Sequence, residues 1–264
     1  MEFIKAHYRG FIIRAANWLM DFRDPESGLP RPSWDLWEER RGIMAWTVGA
    51  VWSGLQAAAD FAAAFGESEL SASYRQAAAA MKAGVECRLW SPERNRYSRM
   101  IVPRSDGLYQ RDDALDSSIV GLWYFGMFPA GDARIVSTME AFFEHLRVPT
   151  AIGGMARYQD DRYHRVSLER GDIPGNPWFI CALWMAQWRI AIAKSSAELN
   201  RALEFLEWTA AHALPSGILA EQIHPLTGEP LSVSPLTWSH AAFVLAVQQF
   251  LEKKEELHGG RGQY

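Results

Sequence analysis

The residues best suited to chemistry in this sequence stand close together between Gly28 and Gly42. Glu38 and Glu39 directly follow Trp37, in a stretch that also holds two prolines and a second tryptophan. Aromatic rings stack on the faces of sugars, and an apolar wall favours the protonated form of a nearby carboxyl group. These residue types indicate a carbohydrate site in which Glu38 and Glu39 are candidates for acid chemistry.

The same residues also permit a simpler interpretation. Two glutamates and two arginines in a row, Glu38 to Arg41, could be a solvated charge cluster that caps the following helix. Spacing alone leaves both interpretations open.

Two neighbouring segments, Ser33–Gly42 and Ala45–Leu55, resemble the glucoamylase-like glycoside hydrolases of family 15. In that family the first glutamate of the motif Asp-Leu-Trp-Glu-Glu is the general acid. The resemblance therefore implies that Glu38 is the acid and that Glu39 and the ring of Trp37 help to bind sugar.

A second match lies near the other end of the chain. Gly217–Gln222, followed by Leu236–Ala242, is similar to the segment of the family that carries the general base. The resemblance implies that Glu221 is this base. Without the resemblance, Glu221 would be taken for an exposed loop carboxylate.

A third match joins two loops. Gly154–Asp161 and Gly175–Trp178 resemble the sugar-binding loop of the family and the helix start that follows it. The resemblance implies that Arg157 and Asp161 bind sugar hydroxyls and that Trp178 forms a wall of the pocket. The segment between Asp161 and Gly175 is longer than the family pattern, which weakens the assignment of Asp161, and a loop-bracing ion pair between Arg157 and Asp161 is the alternative.

The elements that must position these residues read as helices. Apolar residues recur with helical spacing in eight segments, and apolar helices alternate with amphipathic ones, as two concentric helical layers require. The predicted helices are about residues 3–22, 43–65, 69–89, 114–128, 133–147, 177–193, 196–213 and 236–257.

Single residues are expected to mark the ends of these helices. Gly42 would open the second helix, Ser68 would cap the third, and Pro177 would lie in the first turn of the sixth. The turn residues and alternation after Trp90 predict a short hairpin, and the loop 153–164 is dense in aromatic and ionic groups.

The pattern agrees with the all-α (α/α)6 barrel that the resemblance implies. About eight helices can be counted, whereas the family barrel has twelve, so the sequence predicts a barrel that is incomplete at its N-terminus. We expect one domain over residues 1–258, with active loops gathered at one rim, and a disordered tail over residues 259–264.

Composition excludes several other classes. The net charge of -4 argues against a nucleic-acid or anionic-membrane surface, and no apolar run is long enough to cross a bilayer. The two cysteines, Cys87 and Cys181, lie in apolar helical segments and are predicted to be buried free thiols, which suits the cytoplasm. The seven histidines show no ligand spacing, and no dinucleotide-binding or P-loop motif occurs, so neither a metal nor a cofactor is expected.

The resemblance implies an inverting hydrolase that cleaves α-glucosidic bonds of oligosaccharides or polysaccharides and releases glucose. The alternative is a truncated, weakly active or inactive sugar-binding protein that requires an N-terminal half or a second copy, joined through an exposed helical seam. A terpene cyclase would also be helical, but Asp112–Asp113 and Asp160–Asp161 both lack the spacing of its metal motif.

Overall fold

A computed structural model describes residues 2–167 and 171–259. The chain forms two compact units. The first comprises residues 1–114 and 118–138, and the second comprises residues 115–117 and 139–264. The expected single domain over residues 1–258 stays a prediction.

Helices dominate the described part of the chain. Their bounds are α1 Glu2–His7, continued by a π-helical turn Tyr8–Ile12 and α2 Ile13–Asp21; α3 Ala45–Ala64; α4 Ser68–Arg88; α5 Gly121–Tyr124, preceded by a 3₁₀ turn Ser117–Val120; α6 Ala133–Leu146; α7 Phe179–Ile192; α8 Ser196–Leu199, followed by a 3₁₀ turn Asn200–Ala202; α9 Leu203–Ala211; and α10 Thr237–Gly259. Among the described residues, no helix is both long and apolar enough to span a membrane.

Short antiparallel strands connect the helices. They are β1 Ser33–Trp34, β2 Arg41–Met44, β3 Trp90–Ser91, β4 Arg96–Tyr97, β5 Met100–Pro103, β6 Tyr109–Asp112, β7 Gln222–Ile223 and β8 Pro230–Leu231. In the first unit the strands form a four-stranded sheet, ordered β1-β2-β5-β6, and the hairpin β3-β4; the second unit contains the hairpin β7-β8. The hairpin predicted after Trp90 is confirmed.

The helix that follows the acidic motif begins later than its apolar pattern suggests. Gly42 belongs to β2, and α3 begins at Ala45. Ile43 of β2 pairs with Ile101 of β5, and a Cβ atom built on Gly42 would lie 3.0 Å from the sulfur of Met100. Gly42 therefore permits close strand pairing instead of opening the helix.

Two helix ends and one helix also differ from the prediction. Ser68 is the first residue of α4 and provides no side-chain cap, and Pro177 precedes Trp178, the N-cap of α7. The helix expected from Ala114 to Phe128 is shorter in the structure, which has only a 3₁₀ turn and α5 there. Asp116 instead pairs with Tyr158 in an extended bridge, and Gly126 adopts a φ of 82°, which ends the helix.

The thiol and tail predictions have mixed outcomes. Cys181 is buried, as predicted, and burial raises the pKa of its thiol, but Cys87 is exposed on the outer face of α4. Gly259 closes α10 instead of beginning a tail, and residues 260–264 lie outside the described residues.

The core of the second unit is built around α7. All residues from Phe179 to Trp188 are buried, because this segment is apolar on every side and has no face suited to water. α9 and α10 pack against it, and Ser117 hydrogen-bonds the Cys181 thiol at 3.2 Å. Helix α7 thus fixes Trp178 at its N-terminal end.

Candidate active site

The predicted acid lies on the tip of a hairpin in the first unit. β1 and β2 pair Ser33 with Gly42 and Trp34 with Arg41, so residues 35–40 form the connecting loop. Glu38 sits in this loop with a φ of 59°, in the left-handed region that residues other than glycine seldom adopt. Such strain is typical of positions whose side chain must point in a particular direction.

Asp35 shapes the loop. Its Oδ1 accepts hydrogen bonds from the backbone N–H groups of Glu39 at 2.8 Å and Arg40 at 3.2 Å, while its own N–H donates to the Arg40 carbonyl at 2.8 Å. An aspartate that starts a turn commonly binds the backbone in this way. The loop is therefore held by its first side chain.

The surroundings of the charge cluster bear on both interpretations. Glu38 and Glu39 are exposed, as a solvated cluster requires, Glu39 pairs with Arg40 at 2.9 Å, and Trp37 is buried. The cluster does not cap a helix, because its last residue, Arg41, begins β2, and Met44, the N-cap of α3, makes no side-chain cap bond. The assigned roles of Trp37, Glu38 and Glu39 stay predictions.

In the second unit, extended segments bring distant parts of the chain side by side. Single backbone bridges join Asp116 to Tyr158 and Trp178 to Gln222, and a further bridge joins Ala156 to Pro177. The N–H of Phe179 also donates to the carbonyl of Glu221 at 3.3 Å. The chain positions that carry Arg157, Trp178 and Glu221 therefore lie on adjacent segments.

Arg157 and Asp161 form a buried ion pair. The Nε of Arg157 donates to Oδ2 of Asp161 at 2.8 Å and its Nη2 donates to Oδ1 at 2.7 Å, with the side chains 3% and 1% exposed. This two-pronged geometry is the strongest form of an arginine–carboxylate contact. The ion pair considered as the alternative is thus present, while sugar binding by Arg157 and Asp161 stays a prediction.

Three aromatic rings surround the guanidinium group. The Cζ atom of Arg157 lies 4.6 Å from the ring centre of Tyr158, 5.0 Å from that of Tyr163 and 4.9 Å from that of Trp178. Tyr158 and Trp178 are buried, whereas Tyr163 is 40% exposed. Tyr163 is therefore the ring of this group best placed to stack on a ligand, and the role of Trp178 as a pocket wall stays a prediction.

Sequence reasoning missed four polar or aromatic residues of this region: Asp35, Tyr163, Asn176 and Gln222. Asp35 carried the signal of an aspartate at a turn, and Tyr163 lay in a loop already noted for its aromatic residues. Asn176 and Gln222 lie in two of the matched segments, but nothing in the sequence indicated their contact, because it links parts of the chain that are remote in sequence.

Among the described residues, no group of three or more His, Cys, Asp or Glu side chains is close enough to hold a metal ion.

Comparison with known proteins places these features in a family. The family model described as "Glycosyl hydrolases family 15" matches residues 26–203 and 189–248. An uncharacterized glycosyl hydrolase of Methanocaldococcus jannaschii is 29% identical over 228 residues, covering 83% of this chain and 34% of that protein. A trehalase of Mycolicibacterium smegmatis is 28% identical over 230 residues, covering 85% and 31%.

A solved structure shows the fold. A bacterial glucoamylase complexed with acarbose matches with a TM-score of 0.77 at 22% identity, covering 94% of this chain and 38% of that one. The predicted fold class, that of the glucoamylase (α/α)6 barrel, is thereby confirmed for the part that the chain covers. The chain spans about a third of the length of the curated relatives it matches. Since the family model covers most of the chain, including the Asp35–Glu39 motif and Glu221, this chain belongs to the glycosyl hydrolases of family 15.

Proposed function

We propose that the chain hydrolyses α-glucosidic bonds of oligosaccharides or polysaccharides with inversion and releases glucose, with Glu38 as general acid and Glu221 as general base. One observation carries the proposal. The second unit places the backbone of Glu221 next to Trp178, whose ring stacks on the Arg157–Asp161 ion pair. The second and third matched segments thus meet in one locality of the second unit.

The chemistry follows from the two carboxyl groups. Glu38 protonates the oxygen of the leaving group, while Glu221 takes a proton from the water that attacks the anomeric carbon from the opposite side. Inversion requires the two carboxyl groups to stand about 6.5–9.5 Å apart, so that this water fits between them. Glu39, Arg157, Asp161 and the rings of Trp37 and Trp178 would bind the sugar.

The experiment assays glucose release from maltose, isomaltose, soluble starch and trehalose, and follows the product by proton NMR. We expect β-glucose to appear before mutarotation, because inversion of an α-linkage yields the β-anomer. The trehalase among the relatives makes trehalose the second candidate substrate, and a preference for trehalose would replace the glucoamylase assignment.

Variants assign the two roles. Glu38→Gln and Glu221→Gln should each lower kcat by at least about a hundredfold, since general acid or base catalysis contributes factors of this size. Glu229→Gln is the matched control, because Glu229 is exposed and lies beside the same β7-β8 hairpin as Glu221. Full activity of either catalytic variant would refute its assigned role.

The second candidate is a sugar-binding protein without turnover of its own. It is favoured by the exposed apolar side chains Phe3, Phe11 and Trp18 of the first helices, which a partner would cover. Calorimetry with acarbose separates the candidates: binding without hydrolysis of any of the four sugars would support this one. Recovery of hydrolysis on adding a separately made N-terminal half would then identify the partner it needs.

A further inference from the structure

Two buried amides lie between α7 and the hairpin that carries Glu221. Asn176 is 1% exposed and Gln222 is fully buried. Backbone contacts fix their separation, because Trp178 pairs with Gln222 and the N–H of Ile223 donates to the carbonyl of Pro177 at 3.0 Å. The two amides therefore face each other across paired backbone segments.

The hydrogen bonds give both amides a defined orientation. Nδ2 of Asn176 donates to Oε1 of Gln222 at 2.8 Å and to the carbonyl of His164 at 2.8 Å. The His164 carbonyl can only accept, so the NH₂ end of Asn176 faces both partners, and Gln222 must therefore present its Oε1 atom to Asn176. Because Oε1 of Gln222 is turned towards Asn176, its Nε2 is turned towards Glu221 and donates to Oε2 at 3.3 Å.

We propose that Asn176 is a positioning residue that acts through Gln222 on the carboxylate of Glu221. Asn176 fixes the direction of the Gln222 amide, Gln222 holds Oε2 of Glu221, and the Oε1 atom is left to take the proton from water. This inference rests on the proposed role of Glu221 as general base. It gives a role to a polar pair whose burial costs more free energy than that of two apolar side chains.

Isosteric substitutions test the direction of the hydrogen bonds. Asn176→Asp places a carboxylate against two acceptors and favours the reversed Gln222 amide, which would turn Oε1 towards Glu221. Gln222→Glu keeps an acceptor for Asn176 but removes the donor to Glu221. Each should lower kcat on the preferred sugar roughly 10- to 100-fold, the factor that corresponds to a lost hydrogen bond to a charged group.

The division between kcat and binding separates positioning from general damage. KM and the acarbose Kd should change less than about threefold, since the amides do not contact the sugar in this proposal. Thr209→Val is the matched control: Thr209 is fully buried in the same unit, and its hydroxyl bonds the Phe205 carbonyl at 2.8 Å, away from Glu221. Unchanged kcat in a folded Asn176→Asp variant, or an equal kcat loss in Thr209→Val, would overturn the proposal.

The hydrogen-bond relay from Asn176 through Gln222 to Glu221 can also be tested without an activity assay, by NMR spectroscopy. In ¹⁵N-labelled protein, the side-chain amide signals of Gln222 should move with pH, and this response should vanish in Glu221→Gln and change in Asn176→Asp. If the wild type hydrolyses no sugar, the proposed function fails, but these signals still show whether the relay exists. If the Gln222 signals respond to pH in the same way in the wild type and in Glu221→Gln, the relay is overturned, whether or not the protein is active.

Discussion

At the scale of single residues, Glu38 combines an exposed carboxylate with an unfavourable backbone conformation. A left-handed conformation costs a residue with a Cβ atom roughly 1–2 kcal/mol, which glycine would avoid. The hydrogen bonds that the Asp35 side chain accepts from the backbone of Glu39 and Arg40 hold the loop in this conformation. The glutamate at position 38 therefore lowers the stability of the fold, as strained residues of functional sites often do.

The positive φ at position 38 predicts an order of stabilities among variants at this position. Glu38→Gly should be more stable than Glu38→Ala by about 1 kcal/mol, because only glycine relieves the positive φ. Both variants should be inactive if Glu38 is the acid. The measurement is the free energy of unfolding in urea, together with glucose release.

The neighbouring position provides the control. Glu39 is exposed in the same loop and is not among the described residues with positive φ, so Glu39→Ala should be at least as stable as Glu39→Gly. The same order at both positions would show that the conformation of Glu38 carries no strain.

The Arg157–Asp161 pair leads to a different prediction, because both side chains are buried. Arg157→Ala leaves the Asp161 carboxylate without its partner and should lower the free energy of unfolding by about 3–5 kcal/mol. Arg157→Met combined with Asp161→Leu should regain most of this loss, since no buried charge remains. Urea denaturation of the three proteins measures both effects.

The double variant also separates bracing from sugar binding. If Arg157 or Asp161 contacts the sugar, the stable double variant should bind acarbose far more weakly than the wild type. Wild-type affinity in the double variant would restrict the pair to bracing the loop.

At the scale of elements, the sequence predicts best where one element contains its own signal. Helix α7 follows its prediction within about two residues at each end, because a continuous apolar run of this length is typical of a buried helix. The β1-β2 hairpin is missed because β2 depends on pairing with β5, which lies far along the chain. Pairing between segments that are remote in the chain produces no periodic pattern of apolar residues from which the strands could be predicted.

The contact between α3 and α5 gives a prediction within one helix. A Cβ atom on Gly49 would lie 2.4 Å from the carbonyl oxygen of Gly121, whereas one on Gly54 would meet only Leu19 at 3.5 Å. Gly49→Ala should therefore cost about 1–3 kcal/mol through overpacking, while Gly54→Ala should gain up to about 1 kcal/mol through helix propensity. Thermal unfolding of the two variants measures the difference, and equal melting temperatures would show that the helices do not pack through Gly49.

At the scale of the whole molecule, the predicted site residues belong to two units, with Trp37, Glu38 and Glu39 in the first and Arg157, Asp161, Trp178 and Glu221 in the second. Motif resemblance selects Arg157, Trp178 and Glu221, and the structure shows why they lie together, since paired backbone segments join them. The aromatic surroundings of Arg157 and the amides beside Glu221 could not be inferred, because each contact joins residues from separate loops. The sequence shows which residue types are available for the site, but only the structure shows which side chains contact each other.

Glu38 belongs to the first unit and Glu221 to the second, so the proposed mechanism makes a demand on the molecule as a whole. The family model matches both segments in one chain, and one structural match covers 94% of it. We therefore expect both carboxyl groups of a site to come from the same copy. An equimolar mixture of Glu38→Gln and Glu221→Gln, denatured and refolded together, should be no more active than the two variants measured separately.

If mixing the two variants does restore activity, the expected gain can be calculated. If two copies shared their sites within a symmetric dimer, half of the dimers would contain one intact pair, and the mixture should recover about a quarter of wild-type activity. Sedimentation velocity on the same sample identifies the species present. A quarter of the activity together with a dimer would place the catalytic pair between copies, and would make self-association a condition of catalysis instead of a by-product of exposed side chains such as Phe3, Phe11 and Trp18.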